Sequence, residues 1–428
     1  MLRHILNYIR LTSGALSVAF AMVIPIVVGS AGFAVDLSMA HMVKQRLAHA
    51  IDAAALAAAS SAGGGSASSI NAKVQQFFYQ NYPLDKIGST YDLIVTVTGD
   101  DITVSAKSKY ETSFAKLLGI DELIVSARTT VTKEIIGLEV ALVLDVTGSM
   151  STNNNIGALR TAATNFLNVI CTNSYCSDLV KIGIVPFANT VNVGPYGLGK
   201  NPSGSTYDTA FVNNPTGRVF SQSSSTQWWG CVLERSTPQD TQNSNSTWRW
   251  EMYRNTSGGI NNGCNKSYVL PLTRTYGTIK AKIDSLYASG ATLSNVGMAW
   301  GYRVLSPEAP FREGKPWADV TNKKVAILMT DGDNNIGNTY SAYGVWTNLR
   351  LTDSNLDQKL ATTCQNMKND GITVYTITFT SGINNATKAF FRNCASNPDK
   401  YYDAPSQASL LSAFEQIARE LSNIHIKS

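Results

Sequence analysis

Gly14–Val35 (GALSVAFAMVIPIVVGSAGFAV) carries no charge, and this run limits what the chain can fold into more than any other feature. A helix of about 20 apolar residues crosses a hydrocarbon core, so the run reads as a membrane span. Pro25 kinks such a helix without forbidding it. The alternative is a cleaved leader, whose apolar core is shorter, about 7–15 residues, and ends at small residues; GSAGFAVD supplies them. The sequence past the run favours an uncut anchor. Ala40, Val43, Leu47, Ile51 and Ala54 recur at three- and four-residue spacing, an apolar stripe on one helical face. One helix can therefore leave the membrane and continue as an amphipathic stalk to Ser60, giving residues 1–60 as the first segment.

Orientation is barely decided by Arg3 and Arg10 before the span and Lys44 and Arg46 after it. The cysteines decide it. Six are scattered (Cys171, Cys176, Cys231, Cys264, Cys364 and Cys394), with no CxxC pair and only four histidines in the chain, which argues against zinc. An even set behind an apolar segment fits disulfides in an oxidising compartment, with six buried thiols as the alternative. The expected setting is a bacterial inner membrane crossed once, the C-terminal bulk in the periplasm; the cell surface is the other location. With a net charge of +5 and no long basic run, nucleic acid is not an expected partner.

The segment SGALSVAFAMVIPIVVGSAGFAVDLSMAHMVKQRLAHAIDAAALAAA resembles the N-terminus of TadE/TadG-like tight-adherence (Flp) pilus-assembly proteins. These have an apolar helix with a central Pro, then Ala-Val-Asp, then an Ala-rich DAAALAAA run. Members cut as prepilins carry Glu where this chain has Ala19.

Residues 61–137 read as a linker and a small α+β module. SSAGGGSASS (Ser60 to Ser69) is flexible by composition. Asn71 to Tyr79 reads as a short helix, and YDLIVTVTGDDITVSAKSKY alternates around Gly99 and Asp100 as a hairpin does. Leu123 to Thr132 is a further strand.

From Leu138 the pattern changes to strands buried on both faces (EVALVLDV, KIGIVPFA, KKVAILMTD and GITVYTITF). Helical stretches separate them at Ile156–Ile170, Gly277–Ser289, Asn295–Leu305, Asn355–Asn369 and Gln407–Ser422. The alternation predicts an α/β, doubly wound, mostly parallel sheet flanked by helices over residues 138–428. Ligands bind beyond the carboxyl ends of such strands. Three oxygen-rich groups fall there: Asp145, Thr147 and Ser149; Thr292; and Asp331. Carboxylates and hydroxyls without nitrogen or sulfur suit a hard cation. Mg²⁺ is expected, with Mn²⁺ and Ca²⁺ as the other ions that fit. Helix capping by the same residues is the plainer reading.

DxTxS, a Thr loop and a TDG strand end together resemble the metal-ion-dependent adhesion site of von Willebrand factor A-type (vWA) domains, a Rossmann-like fold. The resemblance implies that Thr147, Ser149 and Thr292 touch the metal while Asp145 and Asp331 act mostly through water. Thr147 stands where the family usually has Ser, and Gly290-Ala291-Thr292 where most adhesion members have Gly-Gly-Thr. Such a metal grips an Asp or Glu of a protein partner.

An insertion at about 190–267 carries Trp228, Trp229, Trp248 and Trp250 and is expected beside the metal rim. It selects the partner, or its tryptophans form a mini-core of its own. Of 15 cysteine pairings, Cys171–Cys176, Cys231–Cys264 and Cys364–Cys394 suit the element order best. Enzymatic classes fit poorly. No histidine lies between residues 50 and 424 to serve Ser149. No P-loop occurs, Thr147 replaces the second Asp of an aspartyl phosphotransferase, and Ile336 replaces the Gly of a calcium loop in DGDNNIGN. The expectation is a non-enzymatic membrane-anchored protein with no small-molecule substrate. Its partners would be pilus or secretion-machinery components; a surface adhesin is the alternative.

Overall fold

The computed structural model describes residues 12–60, 67–83, 87–98, 101–132, 136–171, 175–243, 247–253, 260–336, 340–344 and 351–426. The chain divides into two compact units, Met1–Ile135 and Ile136–His425.

In the first unit, α1 runs unbroken over Thr12–Ser60, with Pro25 inside. At 1.5 Å per residue it is about 70 Å long. Its first half is uncovered: Phe20, Met22, Ile26 and Val28 are all exposed. It is the only helix among the described residues long and apolar enough to cross a membrane. Its second half is covered. Ala40, Val43, Leu47, Ile51 and Ala54 are all buried, as a stripe at helical spacing requires.

Leu47, Ile51 and Ala54 pack against α2 (Ala67–Asn81), which presents Ile70, Val74 and Phe78 at four-residue intervals, and against β2 (Asp101–Glu111) through Ile102, Val104 and Ala106, while Ala40 and Val43 pack with Tyr110 at the end of β2. β2 is central in an antiparallel sheet with β1 (Ser89–Thr98) and β3 (Glu122–Thr132). The β1–β2 register brings Thr98 opposite Asp101; the turn residues Gly99 and Asp100 lie outside the described residues. Ala67, Ser68 and Ser69, expected in the linker, instead begin α2. Ala and Ser followed at once by an apolar four-residue repeat are drawn into the helix by its packing. Residues 61–66 of that linker lie outside the described residues.

The second unit is built on a six-stranded mixed sheet. Its strands are β4 (Gly137–Asp145), β5 (Val180–Phe187), β8 (Leu270–Thr273), β9 (Asn322–Thr330), β10 (Thr373–Phe379) and β11 (Tyr401–Ala404), with β6 (Val212–Asn213) and β7 (Trp250–Glu251) a separate short pair. The order is β11-β10-β9-β4-β5-β8; β8 is antiparallel to β5 and the other pairs are parallel. Every residue of β4 is buried. Its side chains alternate between two cores: Ala141 and Val143 in one, Val140, Leu142 and Leu144 in the other.

Helices α5 (Ser294–Leu305), α6 (Asp353–Asn369) and α7 (Asn385–Cys394) contribute to the first core; α3 (Asn155–Ile170), α4 (Tyr276–Asp284) and α8 (Gln407–Ile426) contribute to the second. Disulfides join Cys171 to Cys176, Cys231 to Cys264 and Cys364 to Cys394.

In the insertion between β5 and β8 the tryptophans do not form a mini-core of their own. Trp228 and Trp250 are buried in the core of the whole unit, Trp250 lying 5.1 Å from Trp300 of α5 between ring centroids. Beneath them Arg303 makes a fully buried, two-pronged ion pair with Glu234 at 2.8 and 3.0 Å. Trp229 is half-buried and Trp248 packs at the edge of that core.

Candidate metal centre

β4 and β9 are parallel neighbours with Leu144 opposite Met329, so their carboxyl ends deliver Asp145 and Asp331 to one place. Asp145 is fully buried and Asp331 is 9% exposed. Past Asp145 the chain turns through a 3₁₀ segment, Gly148–Asn154, before α3. That turn folds Thr147 and Ser149 back over the strand end. The Thr147 amide donates to Asp145 Oδ1 at 2.8 Å. The Thr147 and Ser149 hydroxyls lie 2.9 Å apart, and Ser149 donates to Asp331 Oδ1 at 2.6 Å. Four of the five expected residues are thus linked by direct contacts.

Thr292 arrives on the loop between α4 and α5. The Gly148 amide donates to Gly290 O at 2.9 Å and the Asn335 amide to Thr292 O at 2.8 Å, which clamps this loop to both strand ends. Gly290 has φ +100°, and a Cβ there would lie 2.5 Å from Asn189 Oδ1; only glycine fits.

Supporting residues were missed at the sequence level. Thr330 donates its hydroxyl to Asp145 Oδ2 at 2.8 Å. Asn334 accepts from the amide and hydroxyl of Ser294, just past Thr292, at 2.9 and 2.5 Å. Asn265, at the end of the insertion, donates to the carbonyls of Val146, Tyr287 and Ser289 at 3.1, 2.8 and 3.0 Å. The insertion's stem therefore braces the loops around the centre. The adjacency of Thr330 to Asp331 was the one signal in the sequence; the asparagines lie in polar loops where asparagine is ordinary.

Burial raises the proton affinity of Asp145. Asp331 is pushed up to about 7, by burial first and then by the negative charge of Asp145. The donors that reach the two carboxylates are peptide N–H and hydroxyl groups, and no Lys or Arg pairs with either among the described residues. The donor set is oxygen throughout, the chemistry that suits a hard divalent cation.

Residues 14–61 match the family described as putative Flp pilus-assembly TadE/G-like. This TadE/G-like match coincides with most of α1 and ends before the unit that carries Asp145. No curated protein matches the chain. Among solved structures it is distantly similar to the pilus adhesin SpaC from Lactobacillus rhamnosus GG (16% identity, TM-score 0.40, 79% of this chain and 34% of that one). It is also similar to the vWF domain of the type V pili tip protein Mfa5 from Porphyromonas gingivalis (12%, 0.40, 69% and 97%). A third is proximal thread matrix protein 1 from the mussel byssus with a zinc-occupied MIDAS motif (14%, 0.35, 68% and 46%). The chain spans about a third of the pilus adhesin's length.

Proposed function

We propose that residues 138–428 form a doubly wound vWA-type domain whose Asp145, Thr147, Ser149, Thr292 and Asp331 hold a divalent cation, Mg²⁺ by the chemistry of the ligands. The bound ion grips an Asp or Glu of a protein partner in the assembly of tight-adherence pili. α1 anchors the chain in the inner membrane with this domain on the periplasmic side. The reading is of a binding protein, not an enzyme: Ser149 has hydroxyl and carboxylate neighbours, and the sequence has no histidine between residues 50 and 424 to serve it as a base.

The observation that carries the proposal is the pair Asp145 and Asp331, two neighbouring buried carboxylates linked through hydroxyls with no cationic side chain paired to them among the described residues. Burying like charges together is costly unless an ion compensates. Mg²⁺, with coordination positions left to water, has room for one carboxylate from outside. The TadE/G-like match over residues 14–61 supports the pilus setting.

Calorimetric titration of the full chain in detergent with Mg²⁺ and Mn²⁺ tests the site. Saturable binding, lost in Asp145→Ala, is expected. A folded chain that takes up neither ion would reduce the constellation to helix caps.

A further inference from the structure

The small module of the first unit exposes an apolar loop where exposure makes no sense in water. Between β2 and β3, Leu117 is 85% exposed, Leu118 66%, Phe114 43% and Ile120 39%. Isolated surface leucines are ordinary; four large apolar side chains within seven residues form a patch that wants a partner.

The position of the loop says which. Asp36, the residue after the uncharged run, accepts hydrogen bonds from the amides of Ser113, Phe114 and Ala115 at 2.9, 2.8 and 2.6 Å and from the Tyr110 hydroxyl at 3.1 Å. One turn earlier, a Cβ on Gly32 would lie 2.6 Å from Phe114 Cβ. Glycine there lets the loop lie directly on the helix. The loop is thereby fixed beside the last turn of the apolar run, where Phe33 and Val35 are exposed as well. Its patch continues the helix's lipid-facing surface sideways. Lys116, exposed on the same turn, has the length to reach phosphate headgroups.

We infer that the Thr112–Asp121 loop is a second membrane contact, seated in the bilayer's outer hydrocarbon and headgroup layer beside α1. It fixes the depth of α1 and sets how the module is oriented on the membrane. This rests on α1 being the membrane anchor, which the test examines separately.

The test uses the full chain in vesicles of phosphatidylcholine and phosphatidylglycerol. Nitroxide labels are placed at Val27→Cys, Leu117→Cys and Gln76→Cys; the native cysteines are all paired. Collision with oxygen is compared with collision with a water-soluble nickel chelate. Oxygen should dominate several-fold at Val27 and Leu117, and nickel at exposed Gln76. A Leu117 label that behaves like Gln76 while Val27 stays in lipid overturns the loop contact alone. A Val27 label in water overturns the anchor. A Leu117 label shielded from both reagents means that protein covers the patch, and this too overturns the inference.

Discussion

Asp36 and Asp145 are both fully buried, yet their surroundings differ. Asp36 receives three peptide amides from the Thr112–Asp121 loop and the hydroxyl of Tyr110 on β2, so its charge is solvated by the fold. Asp145 receives the amide of Thr147 and the hydroxyl of Thr330, both at 2.8 Å, and the amide of Asp331 only at 3.4 Å, and its neighbour Asp331 is a second carboxylate. Elsewhere in the second unit buried acids have cations. Glu139 meets Lys324 at 2.6 Å, Glu234 meets Arg303, and Asp240 meets Lys359. A carboxylate whose charge the fold itself answers is structural. One whose charge the fold leaves open is a candidate for a binding position.

The largest effect that can break this comparison is at Arg303. Arg303→Met leaves Glu234 charged and alone in the core, and should cost about 3–5 kcal/mol, read from the denaturant midpoint of the second unit. The double change Glu234→Leu with Arg303→Met should recover most of it. If the single change is harmless, buried acids here do not need their cations, and the contrast with Asp145 loses its force.

Asp331→Asn should act in the opposite sense. It keeps an acceptor for Ser149 but removes one of two like charges. In chelator at pH 8 it should stabilise the unit by about 1–3 kcal/mol. In Mg²⁺ the order should reverse, because the parent chain gains about 2.7 kcal/mol at a hundredfold excess over Kd. Midpoints that fail to cross over between chelator and Mg²⁺ would argue against an ion between these carboxylates.

What the sequence revealed follows the same division. Regular periodicity was readable: the buried stripe from Ala40 to Ala54, the continuous apolar run of β4 and the helix from Ile156. So were chemical types at strand ends, because Asp145 and Asp331 each close an apolar strand. The long-range partners were not readable. Nothing local in YYDA marks β11, a four-residue edge strand specified by its pairing with β10. Trp228 and Trp250 looked like surface or mini-core residues because their loops are polar; only the tertiary fold shows that they complete the core around Trp300. The role of Asp36 was invisible for the same reason, since its donors lie more than 70 residues away.

Asp36→Ala tests the other side of the comparison. It strands the amides of Ser113, Phe114 and Ala115, and their hydrogen exchange should speed up by about tenfold or more. Amides of the second unit should be unchanged. Unchanged exchange at those three amides would mean that the loop is held by its apolar side chains and that Asp36 is incidental.

The smallest effect concerns a buried cation with no acid. Lys282 on α4 is 8% exposed; its ammonium lies 3.0 Å from the centroid of the Tyr268 ring and forms no ion pair with an acid among the described residues. Burial lowers its pKa to about 7, against about 10.4 in an unfolded chain. Between those values the unfolded chain holds a proton that the folded chain lacks. Stability should therefore rise with pH, by at most about 1.4 kcal/mol per unit. The window to use is pH 8 to 9.5, above the titration of Asp331, which with its raised pKa loses stability as pH rises toward 7 and past it. Denaturant midpoints of the parent chain should climb more steeply across this window than those of Lys282→Met, and the subtraction cancels every other group. Parallel slopes would mean that the ring face alone keeps the ammonium charged. An unanswered buried charge would then shift its titration at the carboxylate pair but not here.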